Sequence, residues 1–239
     1  MKKILLICCV FLIQLATNAQ KKFVVDANAE LRSVTDNYNA IKVSGGIDLF
    51  LSQSDERAIA VSATNNNAKD GIKTVVEDGQ LHIYYDGDKL LNKKNLKLRV
   101  YVSIVQLKKI EVSGACDVFV IDSLQAHSLT LQLSGSSDFK GIVNTTNLDV
   151  DLSGASDVFI SGIASKVNVK CTGASDVHGY GLVTDFCTIN ASGASDITIT
   201  VNKELNAKAS GASNIFYKGN GELKQNESGH SSSIEKKNR

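Results

Sequence analysis

A chain of 239 residues with 43% hydrophobic content and a formal charge of +1 is long enough for one domain with a substantial core. Its dispersed, nearly balanced charges remove the electrostatic basis for binding nucleic acid or an anionic membrane surface. It has no proline and no tryptophan but 18 glycines, and with its abundant Ser, Val and Ile this favours an all-β protein with regular turns.

The chain opens with Met1-Lys2-Lys3, an apolar run from Ile4 to Ile13 and the small-residue exit Ala16-Thr17-Asn18-Ala19. This pattern predicts a secretory signal peptide over residues 1–19. Its apolar run is about half of the roughly 20 residues that a bilayer span requires. Loss of Lys2 and Lys3 would take the formal charge from +1 to −1. Cys8 and Cys9 lie inside the apolar run and would leave with it, so Cys116, Cys171 and Cys187 remain.

Residues 20–107 read as an N-terminal β region, built either as irregular coils or as a cap. Period-2 alternation marks strands at Ala40–Ser44, Ile47–Leu51, Ile59–Ala63, Ile72–Val76, Leu81–Tyr85 and Leu96–Val102. Asp78-Gly79 is a tight-turn signal between two of these runs. Asn65-Asn66-Asn67 and the stretch from Asp86 to Asn95 read as polar loops.

Residues 108–233 are organised by one phrase. It runs Ser113-Gly114-Ala115-Cys116-Asp117, Ser134-Gly135-Ser136-Ser137-Asp138, Ser153-Gly154-Ala155-Ser156-Asp157, Thr172-Gly173-Ala174-Ser175-Asp176, Ser192-Gly193-Ala194-Ser195-Asp196 and Ser210-Gly211-Ala212-Ser213-Asn214. The glycines advance by 21, 19, 19, 20 and 18 residues. Two, four and six residues before each glycine the chain is mostly apolar, and so is the position four residues after it. The phrase is therefore a bend between two strands that each turn one face inward. A hairpin meander would alternate two kinds of turn, whereas one phrase at nearly constant spacing fits stacked coils. The expected fold is an all-β, right-handed parallel β-helix, a solenoid of about 20 residues per coil.

Gly114, Gly135, Gly154, Gly173, Gly193 and Gly211 are then structural turn residues, at a corner where a Cβ would spoil the conformation or the clearance. Ser44-Gly45-Gly46-Ile47-Asp48 is an early, degenerate copy of the phrase, and Ser228-Gly229-His230-Ser231-Ser232 a worn late one. Residues 234–239 are expected to be a frayed tail. Cys171 and Cys187 occupy columns otherwise filled mainly by aliphatic residues, displaced by four positions along the strand. That is poor geometry for a disulfide, so both read as small buried hydrophobes.

The residues Gly46-Ile47-Asp48, the run from Leu98 to Leu107 leading into Val112-Ser113-Gly114-Ala115, and the iterated phrase together resemble the putative auto-transporter adhesin, head GIN domain family of exported bacterial proteins. The likeness covers roughly Ala40 to Ser232. Asp48 stands where the family name has Asn, and Cys116 where Ser is usual. The resemblance implies a β-helix at the cell envelope and brings no catalytic residues.

Two columns carry candidate chemistry. The first holds Asp117, Asp138, Asp157, Asp176 and Asp196, followed by Asn214. Each carboxylate could accept hydrogen bonds from the backbone N–H groups of its own corner in an Asx-type turn. Alternatively, the row could hold Ca²⁺, although each phrase supplies one acid where the ion wants six to eight oxygens. No other cofactor is expected. The second column points outward and contains Phe119, Phe159 and Phe216, a candidate strip for stacking a glycan or an envelope protein. These aromatics could equally pack beneath a loop or the N-terminal region. An exported, non-enzymatic surface-interaction protein is the leading expectation. The alternatives are a polysaccharide lyase or hydrolase on a β-helix scaffold and a structural or sensory periplasmic protein. A uniform acid column lacks the asymmetry that glycoside cleavage needs, and His82, His127, His178 and His230 show no metal spacing.

Overall fold

The computed structural model describes residues 26–34, 36–87, 96–229 and 231–238. The expected signal peptide, most of the loop before Asn95 and His230 lie outside the described residues. In chain order the elements are β1 (Glu30–Arg32), β2 (Ala40–Val43), β3 (Ile47–Gln53), β4 (Ala58–Ala63), α1 (Asn66–Lys69), β5 (Ile72–Glu77), β6 (Gln80–Tyr85), β7 (Leu98–Ile104) and β8 (Lys109–Val112). There follow β9 (Asp117–Leu133), β10 (Asp138–Leu152), β11 (Asp157–Cys171), β12 (Asp176–Ala191), β13 (Asp196–Ala209), β14 (Asn214–Lys218), β15 (Glu222–Ser228) and β16 (Ser233–Lys236).

Strands β9 to β13 are whole coils that stack in parallel, making a solenoid of about 7 turns spaced about 19 residues apart. Register follows the repeat: Asp138 pairs with Asp157 and Leu152 with Cys171, while Asp117 pairs with Asp138. The inward columns are continuous. Val118, Phe139, Val158, Val177, Ile197 and Ile215 are all buried, as are Leu129, Leu148, Val167, Cys187 and Leu205. Cys171 and Cys187 are free, buried thiols inside such columns. Burial pushes the Cys171 thiol up to about 12, and Cys187 is raised by the same cause. Both are therefore packing groups rather than nucleophiles.

The N-terminal region joins this stack, but not in chain order. β2 and β3 form a tier whose outer neighbours are β6 and β7 and whose inner neighbours are β8 and β9. The chain thus lays down the second tier first, leaves to build the outermost tier, and crosses back to start the third. Asp48 pairs with Asp117 and Val43 with Val112, so the early degenerate copy occupies the same corner as the later ones. Two excursions cover the outer end. β4 adds antiparallel to β7, and β1 adds antiparallel to β4. β5 and β6 form a hairpin closed by Asp78 and Gly79, both at positive φ (49° and 74°), the left-handed pair a two-residue turn requires. One stretch read as a loop is instead a helical turn: Asn65 caps α1 by accepting from the Asn67 N–H at 3.0 Å.

The expectation of a frayed tail fails over most of its length. β16 pairs in parallel with β14, setting Ile234 against Ile215, and the Lys237 N–H donates to the Tyr217 carbonyl at 2.8 Å. The physical reason is the open end of the stack: Ile234 continues the Ile215 column, and the strand satisfies backbone groups that the last coil would otherwise leave bare.

Candidate functional site

The repeated corner is built by the backbone before any side chain contributes. In it, the N–H of the residue after each glycine donates to the carbonyl of the preceding coil's glycine: Ser136 to Gly114 at 2.8 Å, Ala155 to Gly135 at 2.7 Å, Ala174 to Gly154 at 2.8 Å. The parallel ladder therefore runs through the bend without interruption. Two demands on the glycine follow. Each of the six repeat glycines has φ between +71° and +88°, and from Gly135 to Gly211 an added Cβ would lie 2.3 to 2.6 Å from the previous glycine's carbonyl oxygen.

The fourth residue of the phrase points inward. Ser137, Ser156, Ser175, Ser195 and Ser213 are fully buried, and Cys116 tops the same column. Each of the first four hydroxyls donates to the carbonyl of its own phrase's first residue, at 3.0 to 3.2 Å. Ser156, Ser175 and Ser213 also accept from the N–H of the serine one coil earlier. Cys116 Sγ accepts from the Ile47 N–H at 3.3 Å. Sequence reasoning placed the phrase at a corner but did not see this internal ladder. The signal was Cys116 itself, since an exchange of Ser for Cys marks a small buried site rather than a wet one.

The carboxylate column stands beside it, half-buried from Asp117 to Asp176 and exposed at Asp196. Its hydrogen bonds run between coils: Asp176 Oδ1 accepts from the Asp196 N–H at 2.8 Å, Asn214 Nδ2 donates to Asp196 Oδ1 at 2.9 Å, and Ser233 Oγ donates to Asn214 Oδ1 at 2.8 Å. This corrects the expectation that each acid bonds within its own corner, because the coil spacing puts the next N–H in reach. Burial, then Asp138 and Asp48, raise the Asp117 carboxyl above the ordinary range; burial and then Asp138 raise Asp157. Burial also raises Asp48. Among the described residues no three acidic, histidine or cysteine side chains converge as a metal-ligand group.

The outward aromatic column is longer than the sequence indicated. Register places Tyr101, Phe50, Phe119, Lys140, Phe159, His178, Thr198, Phe216 and Glu235 in one line. Phe50 stacks on Tyr101 with centroids 5.0 Å apart and on Phe119 at 5.3 Å. Phe159, 40% exposed, stacks on His178 at 4.4 Å. The three phenylalanines read from the sequence do not meet. Phe119 belongs to the N-terminal stack, Phe159 forms a second patch beyond Lys140, and the Lys237 ammonium lies 4.3 Å from the Phe216 ring centroid. Phe50 could have been found by counting two residues on from Asp48 in the degenerate phrase, as Phe119 follows Asp117, whereas the coil of Tyr101 lacks a phrase to align it. Tyr101 is itself buried, and Asp26 of the N-terminal segment accepts hydrogen bonds from Ser62 at 2.6 Å, Tyr101 at 3.3 Å and Arg99 at 3.4 Å, contacts that hold its carboxyl below the ordinary range, Ser62 contributing most.

A family profile described as putative auto-transporter adhesin, head GIN domain matches residues 37–221. The chain belongs to the head GIN domain family. Crystal structures share the fold: a putative adhesin from Bacteroides fragilis NCTC 9343 superposes with a TM-score of 0.80 at 20% identity, covering 88% of this chain and 98% of that one. A putative adhesin from Parabacteroides distasonis ATCC 8503 gives 0.71 at 22% identity, covering 86% and 95%. Another from Parabacteroides merdae ATCC 43184 gives 0.70 at 19%, covering 89% and 98%. No curated protein matches the chain. The head GIN domain thus accounts for both the permuted N-terminal tiers and the regular coils, since the profile spans β2 to β14.

Proposed function

We propose that this head GIN domain protein is an exported, non-enzymatic adhesin-like protein that acts through the side of its solenoid. Its contact strip is the aromatic column from Phe50 through Phe119 to Phe159 and His178, and its partner is a glycan or a protein of the cell envelope. The observation that carries this reading is the Phe50–Phe119 stack, backed by buried Tyr101, followed by the exposed Phe159–His178 pair on the same column of a rigid ladder. Rings held flat by the ladder lose little freedom on binding, so they make efficient anchors. Pull-down from envelope extracts with the wild-type chain and with Phe159→Ser and Phe50→Ser tests it. Partners retained by the wild type and lost from both variants support the strip, and identical partner sets overturn it.

The non-enzymatic part rests on the uniformity of the corner. Asp176 and Asp196 are occupied by hydrogen bonds from the next coil's Asp196 N–H and Asn214 amide, and the column repeats one arrangement where hydrolysis of a glycosidic bond needs two acids in unlike settings. Polysaccharide cleavage that disappears in a folded Asp157→Ala variant would refute it.

A further inference from the structure

A second site lies on the side of the solenoid formed by the C-terminal halves of the coils. Two adjacent outward columns meet there. One runs Ser128, Asn147, Lys166, Phe186, Glu204, and the other Asp149, Asn168, Thr188, Asn206. They border a groove of about 670 Å³, a size usual for small-ligand sites, which span about 300–1,000 Å³. Phe186 is 41% exposed and is the one aromatic residue among the groove's lining residues. The Lys203 ammonium lies 5.5 Å from its ring centroid, held by Asp185 at 2.8 Å. Around it the polar groups are already paired as amide–carboxylate sets: Asn168 Nδ2 donates to Asp149 Oδ1 at 2.8 Å and Asn206 Nδ2 to Glu204 Oε1 at 2.9 Å.

We infer that this groove binds a neutral oligosaccharide, with Phe186 stacking on the apolar face of one sugar ring and Asn168, Asp149, Asn206 and Glu204 bonding its hydroxyls. Three features select that ligand. First, the backbone here is spent: residues 147–152 pair with 166–171 and these with 186–191, so an extended peptide finds no free edge to join. Second, Lys166 against Asp149 and Glu204 leaves one negative charge in excess, which opposes an acidic polymer. Third, side chains that present donors and acceptors side by side suit vicinal hydroxyls, each of which both donates and accepts. The coil spacing of about 4.8 Å is close to the length of one pyranose unit, so successive coils offer one polar group per sugar along the column.

The test is titration calorimetry and saturation-transfer NMR on the full chain. The probes are tri- to hexasaccharides of β-1,4-glucan, β-1,4-mannan, β-1,4-xylan and α-1,6-mannan, with heparin oligosaccharides as the acidic arm. Binding of at least one neutral series is expected. Phe186→Ser should weaken it by about tenfold, Asn168→Ala with Asn206→Ala should weaken it independently, and Phe159→Ser should leave it unchanged. All variants should melt with the wild type. No binding by any neutral series at millimolar concentration, preference for heparin, or binding that survives both groove variants overturns the inference. Loss of binding in Phe159→Ser with retention in Phe186→Ser would also overturn it, by moving the sugar to the aromatic strip while leaving the proposed contact strip standing.

Discussion

The corner glycine allows its two demands to be measured separately. Gly79 and Gly154 have nearly the same positive φ, 74° and 81°, so replacing either with Ala forces an L-residue into the left-handed region at a cost of about 1–2 kcal/mol. A Cβ at Gly79 meets nothing within 4 Å, whereas at Gly154 it lies 2.5 Å from the Gly135 oxygen and 3.0 Å from its nitrogen. These atoms are backbone, and the same oxygen accepts the Ala155 N–H at 2.7 Å, so relief requires coils to part. Overpacking of this kind adds about 1–3 kcal/mol. Gly154→Ala should therefore cost about 2–5 kcal/mol and Gly79→Ala about 1–2, a gap of at least 1 kcal/mol, or roughly 2–4 °C in Tm for a chain of this size. Urea unfolding followed by circular dichroism reads both values. Equal losses would refute the reasoning, because they would mean that left-handed geometry alone fixes the glycine and that the ladder yields freely at its corners.

Other outcomes follow from the same corner. Cys116→Ser restores the column residue and should change stability by less than about 1 kcal/mol, whereas Ser156→Val overpacks a sealed site and should cost about 1–3 kcal/mol, both read by urea midpoints. Asp48, Asp117 and Asp157 hold protons more tightly folded than unfolded, so their stabilising contribution is complete below the ordinary aspartate value, about pH 4, and is lost as pH rises through the raised folded value. Asp157→Asn, which copies Asn214 in the same column, should thus gain up to about 1 kcal/mol at pH 7 and nothing at pH 3. Loss of stability at pH 7 would show that the carboxylate charge is needed. For the Ca²⁺ reading of the Asp column, we expect a melting temperature that neither EDTA nor added Ca²⁺ moves, measured by calorimetry.

The parallel solenoid and its period were legible because a fixed phrase imposes a fixed bend, and the inward columns are simple alternation on either side of it. What stayed hidden lacked a local pattern. Ser156 and its column equivalents look like surface turn residues until the ladder places them inside. Tyr101 joins the aromatic column only through register, since its coil has no phrase to count from, and Phe50 follows a copy so worn that its column is plain only once Asp48 pairs with Asp117. The groove around Phe186 is a product of stacking alone: Asp149, Asn168 and Asn206 are distant in sequence and share a column only once four coils are in place. Ser233–Lys236 carries too little apolar content to announce a strand, and it forms one because the Ile215 column offers an open edge.

The out-of-order tiers set the sequence of events when the chain folds. β2 and β3 are made first but have partners on both sides only after β6, β7, β8 and the start of β9 exist. A stack that grew by simple addition could begin at its first strand, with each new coil templated on the last. Here the first-made tier gains its outer neighbours once Gln80–Tyr85 and Leu98–Ile104 follow, and its inner ones only when Lys109–Val112 and the start of β9 arrive. The regular coils after it each pair with the coil just made, about 19 residues back, whereas Ile47 must reach Leu98 and Asp48 must reach Asp117, so we expect the slower pairing in the N-terminal tiers. Once closed, the first-made tier is threaded between its own neighbours, and removing it by fraying from the N-terminus requires opening the tier outside it first.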